Sequence, residues 1–221
     1  MNATATETGG DARERILAAA ERLFAQKGVE KTSTREITAE AGVNVASINY
    51  YFRSKDALAE EIFVRLAERA TNIRLTELSA YMQTAQAKSE PLRLEALVAC
   101  FVKPYFAPGL NGALFARFIL QHRLHPSEMT RRVYEQYLDP FALEFIDALC
   151  LTDKRVTKAE WTWRYTLMTG TVVLAATDTS PGNRLTVLSQ GQADAVRGDE
   201  FERNLTRFLC AALYGSGSPT R

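Results

Sequence analysis

Apolar residues along nearly the whole chain recur three and four positions apart, while the period-two alternation of a half-buried strand is rare. A chain patterned in this way can build a core only from the apolar stripes of helices. The expected fold is all-α, with about nine helices. Between Asp11 and Lys27 one stripe holds Ile16, Leu17, Ala20, Leu23 and Phe24; Asp11 with Glu14 suits a helix start, and Gly28 suits its end.

The next thirty residues are punctuated more closely. Ser33 and Glu36 form a capping-box pattern ahead of TREITAEA, whose Ile37 and Ala41 face inward, and Gly42 supplies a left-handed stop. Asn44 suits the cap of a short helix spanning Val45 to Phe52. Two short helices joined by a tight glycine turn make a helix-turn-helix pattern. Ser54 then caps a helix carrying Leu58, Ile62 and Leu66.

On a wheel of 100° per residue, Val45, Ile48, Asn49 and Phe52 fall on one side of that short helix, with Ala46, Ser47, Tyr50 and Tyr51 opposite. Ile48 and Phe52 therefore anchor it, and both tyrosines point outward. Their rings either pack against the first or fourth helix or meet a partner. A tyrosine hydroxyl bonds a phosphate oxygen, its ring packs on a sugar or a thymine methyl, and Ser47 offers a second hydroxyl.

Bulk properties set the remaining bounds. The 221 residues are 46% apolar and 24% charged, ordinary for a globular protein, and no apolar run reaches the length of a membrane helix. The N-terminus lacks the basic start and apolar centre of a signal peptide, so a cytoplasmic location with no membrane partner is expected. Cys100, Cys150 and Cys210 lie far apart in apolar helical patterns and read as small buried hydrophobes. Net charge is +1, and residues 1–55 hold eight Lys/Arg against seven Asp/Glu. A nucleic-acid reading must therefore rest on where particular side chains point.

The chain is read as no enzyme and as carrying no cofactor. His122 and His125 are spaced i, i+3 near a helix end, but no carboxylate or thiolate motif accompanies them, and a solvent-facing pair is expected. The terminal GSGSP matches a nucleophile elbow in letters only, with neither the strand nor the helix that motif requires.

Residues 11–60 resemble the DNA-binding domain of the tetracycline-repressor (TetR) family of bacterial regulators. The likeness is carried by Phe24-x-x-x-Gly28, by T34-R-E-I-T-A-E-A-G-V43, by Ser47-Ile48-x-Tyr50-x-Phe52 and by Ser54-Lys55-x-x-Leu58. It implies that Thr34 and Ser47 bond phosphates, that Arg35 reaches a base edge or a phosphate, and that Val45 and Ala46 meet bases in the major groove. It further implies that Tyr50 and Tyr51 contact backbone or thymine methyls and that Lys55 meets a phosphate. The family often has an aromatic residue where this chain has Asn49. The wheel sets Asn49 near the buried side, while an asparagine that reached the groove would bond adenine bidentately.

The resemblance implies a homodimer on a double-stranded, pseudo-palindromic operator, released by a small-molecule effector: a ligand-responsive regulator, most simply a repressor. The rival reading is an all-helical adaptor whose helix-turn-helix binds protein. The expected organisation is a disordered tail at 1–10, the helix-turn-helix domain at 11–55, a larger helical ligand-binding and dimerisation domain at 56–214, and a tail at 215–221.

In the larger domain, helices are expected at 56–84, 90–107, 111–123, 127–150, 157–177 and 199–214, with a kink at Pro140 and a long loop at 179–198. The last two helices are expected to pair two subunits. Phe201, Leu205, Phe208, Leu209, Ala212 and Leu213 make one stripe, and AEWTWRYTLMTGTVVLAAT is apolar around most of its circumference. Phe101, Tyr105, Phe106, Phe115, Phe118, Phe141, Phe145, Trp161 and Met168 supply an aromatic-rich interior from which a pocket would be lined. Arg117 and Arg164 sit in apolar runs, where a guanidinium either snorkels, pairs with a structural carboxylate or grips a ligand carboxylate. INYYFRSKDAL and AEWTWRYTLMTG are similar to a TetR subgroup that answers to fatty acids or acyl-CoA, which implies a long apolar effector.

Overall fold

Short caps and apolar stripes become helices largely where the sequence places them. The computed structural model describes residues 4–214, with side chains from residue 10 onward; among them there are helices and no strand. The chain divides between Leu66 and Ala67 into two compact units. That division falls later than residues 55–56, because Leu58, Ile62, Phe63 and Leu66 bury their side chains in the first unit's core.

The first unit holds α1 (Thr4–Lys27), α2 (Thr34–Ala41), α3 (Ala46–Phe52) and the opening turns of α4 (Lys55–Ala87). Helix α1 begins at Thr4, ahead of the expected start, and takes in residues 4–10; Asp11 is no cap but pairs with Arg15 one turn on. Residues 1–3 and the expected tail at 215–221, GSGSP included, lie outside the described residues. The core joins Ile16, Leu17, Ala20, Leu23 and Phe24 to Ile37, Ala41, Ile48 and Phe52. Each large side chain buried there contributes about 1.5–3 kcal/mol of transfer free energy, which is what holds helices as short as α2 and α3.

The turn between α2 and α3 is built as its residues require. Ser33 accepts from the Glu36 backbone N–H at 3.2 Å, and Glu36 reciprocates by accepting from Ser33 N–H at 2.9 Å. Gly42 has φ +65°, and the amides of Gly42 and Val43 bond Ala39 and Thr38 carbonyls, so the chain turns left-handed out of α2. Asn44 Oδ1 then accepts the Ala46 amide at 2.9 Å.

The second unit contains the rest of α4, then α5 (Leu94–Val102) with a 3₁₀ turn (Lys103–Tyr105), α6 (Gly112–Leu124), α7 (Glu128–Val133), a π turn (Tyr134–Leu138), α8 (Asp139–Thr152), α9 (Lys158–Thr177), α10 (Arg184–Leu188) and α11 (Gly198–Tyr214). Helix α5 packs against α8 and α11, and α9 against α6 and α8. Pro140 sits in the first turn of α8, directly after the π turn. Its ring cannot donate and would clash with a carbonyl of a regular helix, and the wider π turn relieves both problems.

Residues 179–198 are more organised than a loop. Asn183 is buried, caps α10 by accepting from Thr186 N–H, and donates to Ser180 O and Asp194 Oδ1. No described helix is long and apolar enough to cross a membrane.

Candidate functional site

Two sites can be built from the described residues, one on each unit. The first is the outer face of α3. Ile48 and Phe52 are buried and fix the helix, while Val45, Ala46, Asn49 and Tyr50 are exposed, with Ser47 half-buried beside them. Tyr50 is 81% exposed, the most open large hydrophobic side chain among the described residues. Tyr51 is half-buried, edge-on to Tyr50 at 4.8 Å and to Phe52 at 6.3 Å, so only one of the two tyrosines stands fully free. Asn49 and Val45 both depart from the wheel. Helix α3 has barely two turns, so residues the wheel assigns to the inner half lie at its rim, in solvent.

Around this face Arg35 is exposed and Thr34 half-buried at the start of α2. Lys55 has another engagement: its Nζ donates to the carbonyls of Val29 at 2.9 Å and Thr32 at 3.1 Å, tying the start of α4 to the α1–α2 connection. Two of its three donors are thus spent inside the unit. Arg53, passed over in the sequence, is exposed at φ +70° immediately after α3 and adds a cation beside the face.

Ion pairs hold the platform. Arg13 bonds both Glu61 oxygens at 2.6–2.7 Å, and its guanidinium lies 5.0 Å from the Phe52 ring centre. Arg65 bonds both Glu14 oxygens at 2.8 Å and meets Glu61 at 3.2 Å. The Arg65 hydrogen bond, aided by the charges of Arg65 and Arg13, draws the Glu14 carboxyl below its ordinary value. Lys27 bonds Glu36, whose carboxyl is lowered to about 2 by that bond and by the Ser33 amide. Several acidic residues of the unit are therefore matched internally, a feature that overall charge does not reveal.

The second site is the aromatic interior of the larger unit. Phe101, Phe141 and Phe145 come together with centroids 5.4–6.1 Å apart, joined by Tyr165 at 5.8 Å from Phe101 and 6.0 Å from Phe145. Phe115 reaches this cluster through Tyr105, 5.8 Å away. Other sequence candidates lie apart. Phe106 packs on Phe201, Phe118 stacks on His122, and Trp161 lies against Arg164 at another cleft. Met168 is buried in α9.

Both candidate arginines serve helix ends. Arg117 donates to the Thr177 carbonyl closing α9, and Arg164 donates to the Leu213 carbonyl near the end of α11 and to Glu160. The arginine at the cluster's centre is Arg74, which no sequence pattern singles out. It is 4% exposed, with its guanidinium 4.4 Å from the Phe101 centroid, 5.2 Å from Tyr105 and 5.3 Å from Phe141. Its surroundings come from α5, the turn after it and α8, so only the folded chain brings them to it.

His122 differs from the solvent-facing expectation. It is half-buried, shares a 2.8 Å hydrogen bond with Thr130 Oγ1, and burial pushes its pKa below 6.5; His125 is exposed. Among the described residues no group of three or more His, Cys, Asp or Glu could hold a metal ion. Cys100 and Cys210 are buried free thiols with pKa values pushed up to about 11 by desolvation, and Cys150 is half-buried.

Known proteins match both units. Residues 16–62 match the family described as "Bacterial regulatory proteins, tetR family", and residues 95–212 match its "Tetracyclin repressor-like, C-terminal domain". The chain is 29% identical over 146 residues to the HTH-type transcriptional dual regulator CecR of Shigella flexneri, covering 63% of each chain. It thus spans less than two-thirds of the length of the curated relatives it matches. Among solved structures, a Saccharomonospora viridis protein assigned as a transcriptional regulator, in complex with choline, aligns with TM-score 0.62 at 21% identity, over 90% of this chain and 96% of that one. The fatty acid degradation regulator FadR from Bacillus halodurans aligns with TM-score 0.56 at 16% identity, over 92% and 96% of the two chains. These two likenesses concern the fold.

Proposed function

Because the chain belongs to the tetR family of bacterial regulatory proteins, we propose that it is a cytoplasmic, homodimeric transcriptional regulator, a repressor that a small-molecule effector releases from its operator. The observation that carries this reading is the outer face of α3. Val45, Ala46, Asn49 and Tyr50 are exposed together on a helix whose cap, glycine turn and buried Ile48 and Phe52 leave it little freedom. Asn49, now in solvent, is positioned to bond adenine, while Ser47, Thr34 and Arg35 serve the backbone. Lys55 acts chiefly by holding the platform, with one donor left for a phosphate.

One such unit touches few base pairs, so two copies are needed on a pseudo-palindrome with half-site spacing of about 34–36 Å or a multiple. Support for pairing lies in α9 and α11. Trp163, Leu167 and Leu174 are 64–66% exposed on α9, with Gly170 exposed among them, and Phe208 is exposed on α11. Leu205, Leu209 and Leu213 of α11 turn inward, so the expected single stripe divides into an inner and an outer face. An apolar outer stripe at helical spacing fits a second copy of itself across a two-fold axis.

The aromatic interior supports an effector with an apolar part. The FadR likeness is consistent with an acyl compound, and linkage then requires that effector and operator weaken each other equally. The test is a gel shift on the DNA upstream of the protein's own gene, with Tyr50→Ala and Arg35→Ala as variants. Both should lose binding while keeping wild-type circular dichroism. Full binding by both would sink the reading in favour of a protein-binding adaptor.

A further inference from the structure

Arg74 is an arginine buried without an acid. A guanidinium is a planar cation with five N–H donors and no acceptor. Among the described residues no carboxylate lies within 4.0 Å of it, its Nε donates only to the Phe101 carbonyl at 3.3 Å, and its buried Nη2 has no partner. Removing such an ion from water is unfavourable unless a partner charge meets it. The faces of Phe101, Tyr105 and Phe141 offset part of that. They leave a donor aimed at nothing. A residue needed only to tie α4 to α5 would be served by Met or Leu at no desolvation cost.

We propose that Arg74 is the anion receptor of the effector site and that the effector is a compact organic carboxylate. This rests on the ligand-responsive reading above and narrows it. Aromatic cages commonly take ligand cations, but here the chain's own guanidinium already occupies the cage, so a second cation is repelled. A carboxylate suits it, because two oxygens meet the forked N–H groups of one guanidinium.

The way in is marked by Tyr105. Its ring lies 5.2 Å from the Arg74 guanidinium, and the same residue lines a cleft of about 190 Å³, with Phe106, Ala113, Ala176 and Val196 among its walls. Val196 and Gly198 bring the organised 179–198 segment to that cleft, which gives the segment a use. The cleft is smaller than the roughly 300–1,000 Å³ of drug-sized sites, so the acid is of short to medium chain. An acyl-CoA thioester has no free carboxylate at the end of its chain, and its nucleotide exceeds this volume.

The experiment is calorimetry on the full-length protein with octanoate, 1-octanol, octyltrimethylammonium and octanoyl-CoA, repeated on Arg74→Met and Arg74→Lys. Octanoate should bind wild type at least about tenfold more tightly than octanol, the difference a charge-assisted bond supplies, and the ammonium should not bind. In Arg74→Met the two affinities should converge, through loss on octanoate alone. Arg74→Lys, which keeps the charge and is the safer fold, should weaken octanoate and leave octanol unchanged. Equal binding of octanoate and octanol by wild type, preference for the thioester or the ammonium, no binding at all, or an intact preference in a folded Arg74 variant would each overturn the assignment. A wild type that fails to shift any DNA would defeat the regulator reading instead, and the calorimetry, which uses no DNA, would still decide Arg74.

Discussion

Gly112 is where α6 begins against the backbone of the preceding turn, and replacing it with alanine should measure how tightly that junction is packed. A Cβ at Gly112 would stand 2.0 Å from the Tyr105 carbonyl oxygen and 2.6 Å from that residue's carbonyl carbon and Cα. Real Cβ atoms essentially never approach other atoms closer than 3.0 Å, and all three neighbours are backbone, so no side chain can rotate away. The start of α6 must move, and with it the cap in which Asn111 Oδ1 accepts the Leu114 amide at 3.0 Å. Overpacking of this kind costs about 1–3 kcal/mol, and a backbone obstacle puts it near the top of that range. At about 2–4 °C per kcal/mol for a chain of this size, Tm should fall by about 6–12 °C in thermal unfolding followed by circular dichroism. Asn111→Ala removes only the cap and should cost about 1 kcal/mol. A Gly112→Ala protein melting within about 2 °C of wild type, or no earlier than Asn111→Ala, would refute the close approach.

Two further outcomes are expected. Glu14 and Glu36 have depressed folded-state pKa values, so their contribution is complete above pH 4.5 and is lost as pH falls through those values, about 2 for Glu36; Glu36→Gln should flatten the stability decline between pH 4.5 and 2 in urea titrations, and an unaltered slope would count against its bond to Lys27. Trp163→Glu should convert the dimer to monomer in sedimentation velocity by placing like charges across the two-fold axis, and a persistent dimer would move the interface away from α9.

What the sequence disclosed was what a few neighbouring residues decide. Ser33 with Glu36, the left-handed Gly42 and Asn44 are local devices, and each forms where expected. Stripes long enough to average over, such as Ile16 to Phe24, also bury as read. Asn49 and Val45 depart from the wheel because a wheel assumes a helix long enough to have an inside, and α3 spans only Ala46–Phe52. Helix α10 escaped because five residues carry no period; Asn183 and its bonds make it. Arg117 and Arg164 stood out for their apolar neighbours in sequence, yet each meets the end of a distant helix. Arg74 looked like any charge on an amphipathic helix, since the rings that bury it lie on α5, α8 and the turn after α5.

Whether the outer face of α3 reads DNA is tested most directly by selection of bound sequences from a random duplex pool. Wild type should enrich an inverted repeat with half-sites about one helical turn apart, or a multiple, and Asn49→Ala should relax preference at a single symmetric position. No enrichment over the starting pool, or the same motif recovered with both Asn49 and Tyr50 replaced by alanine, would contradict it.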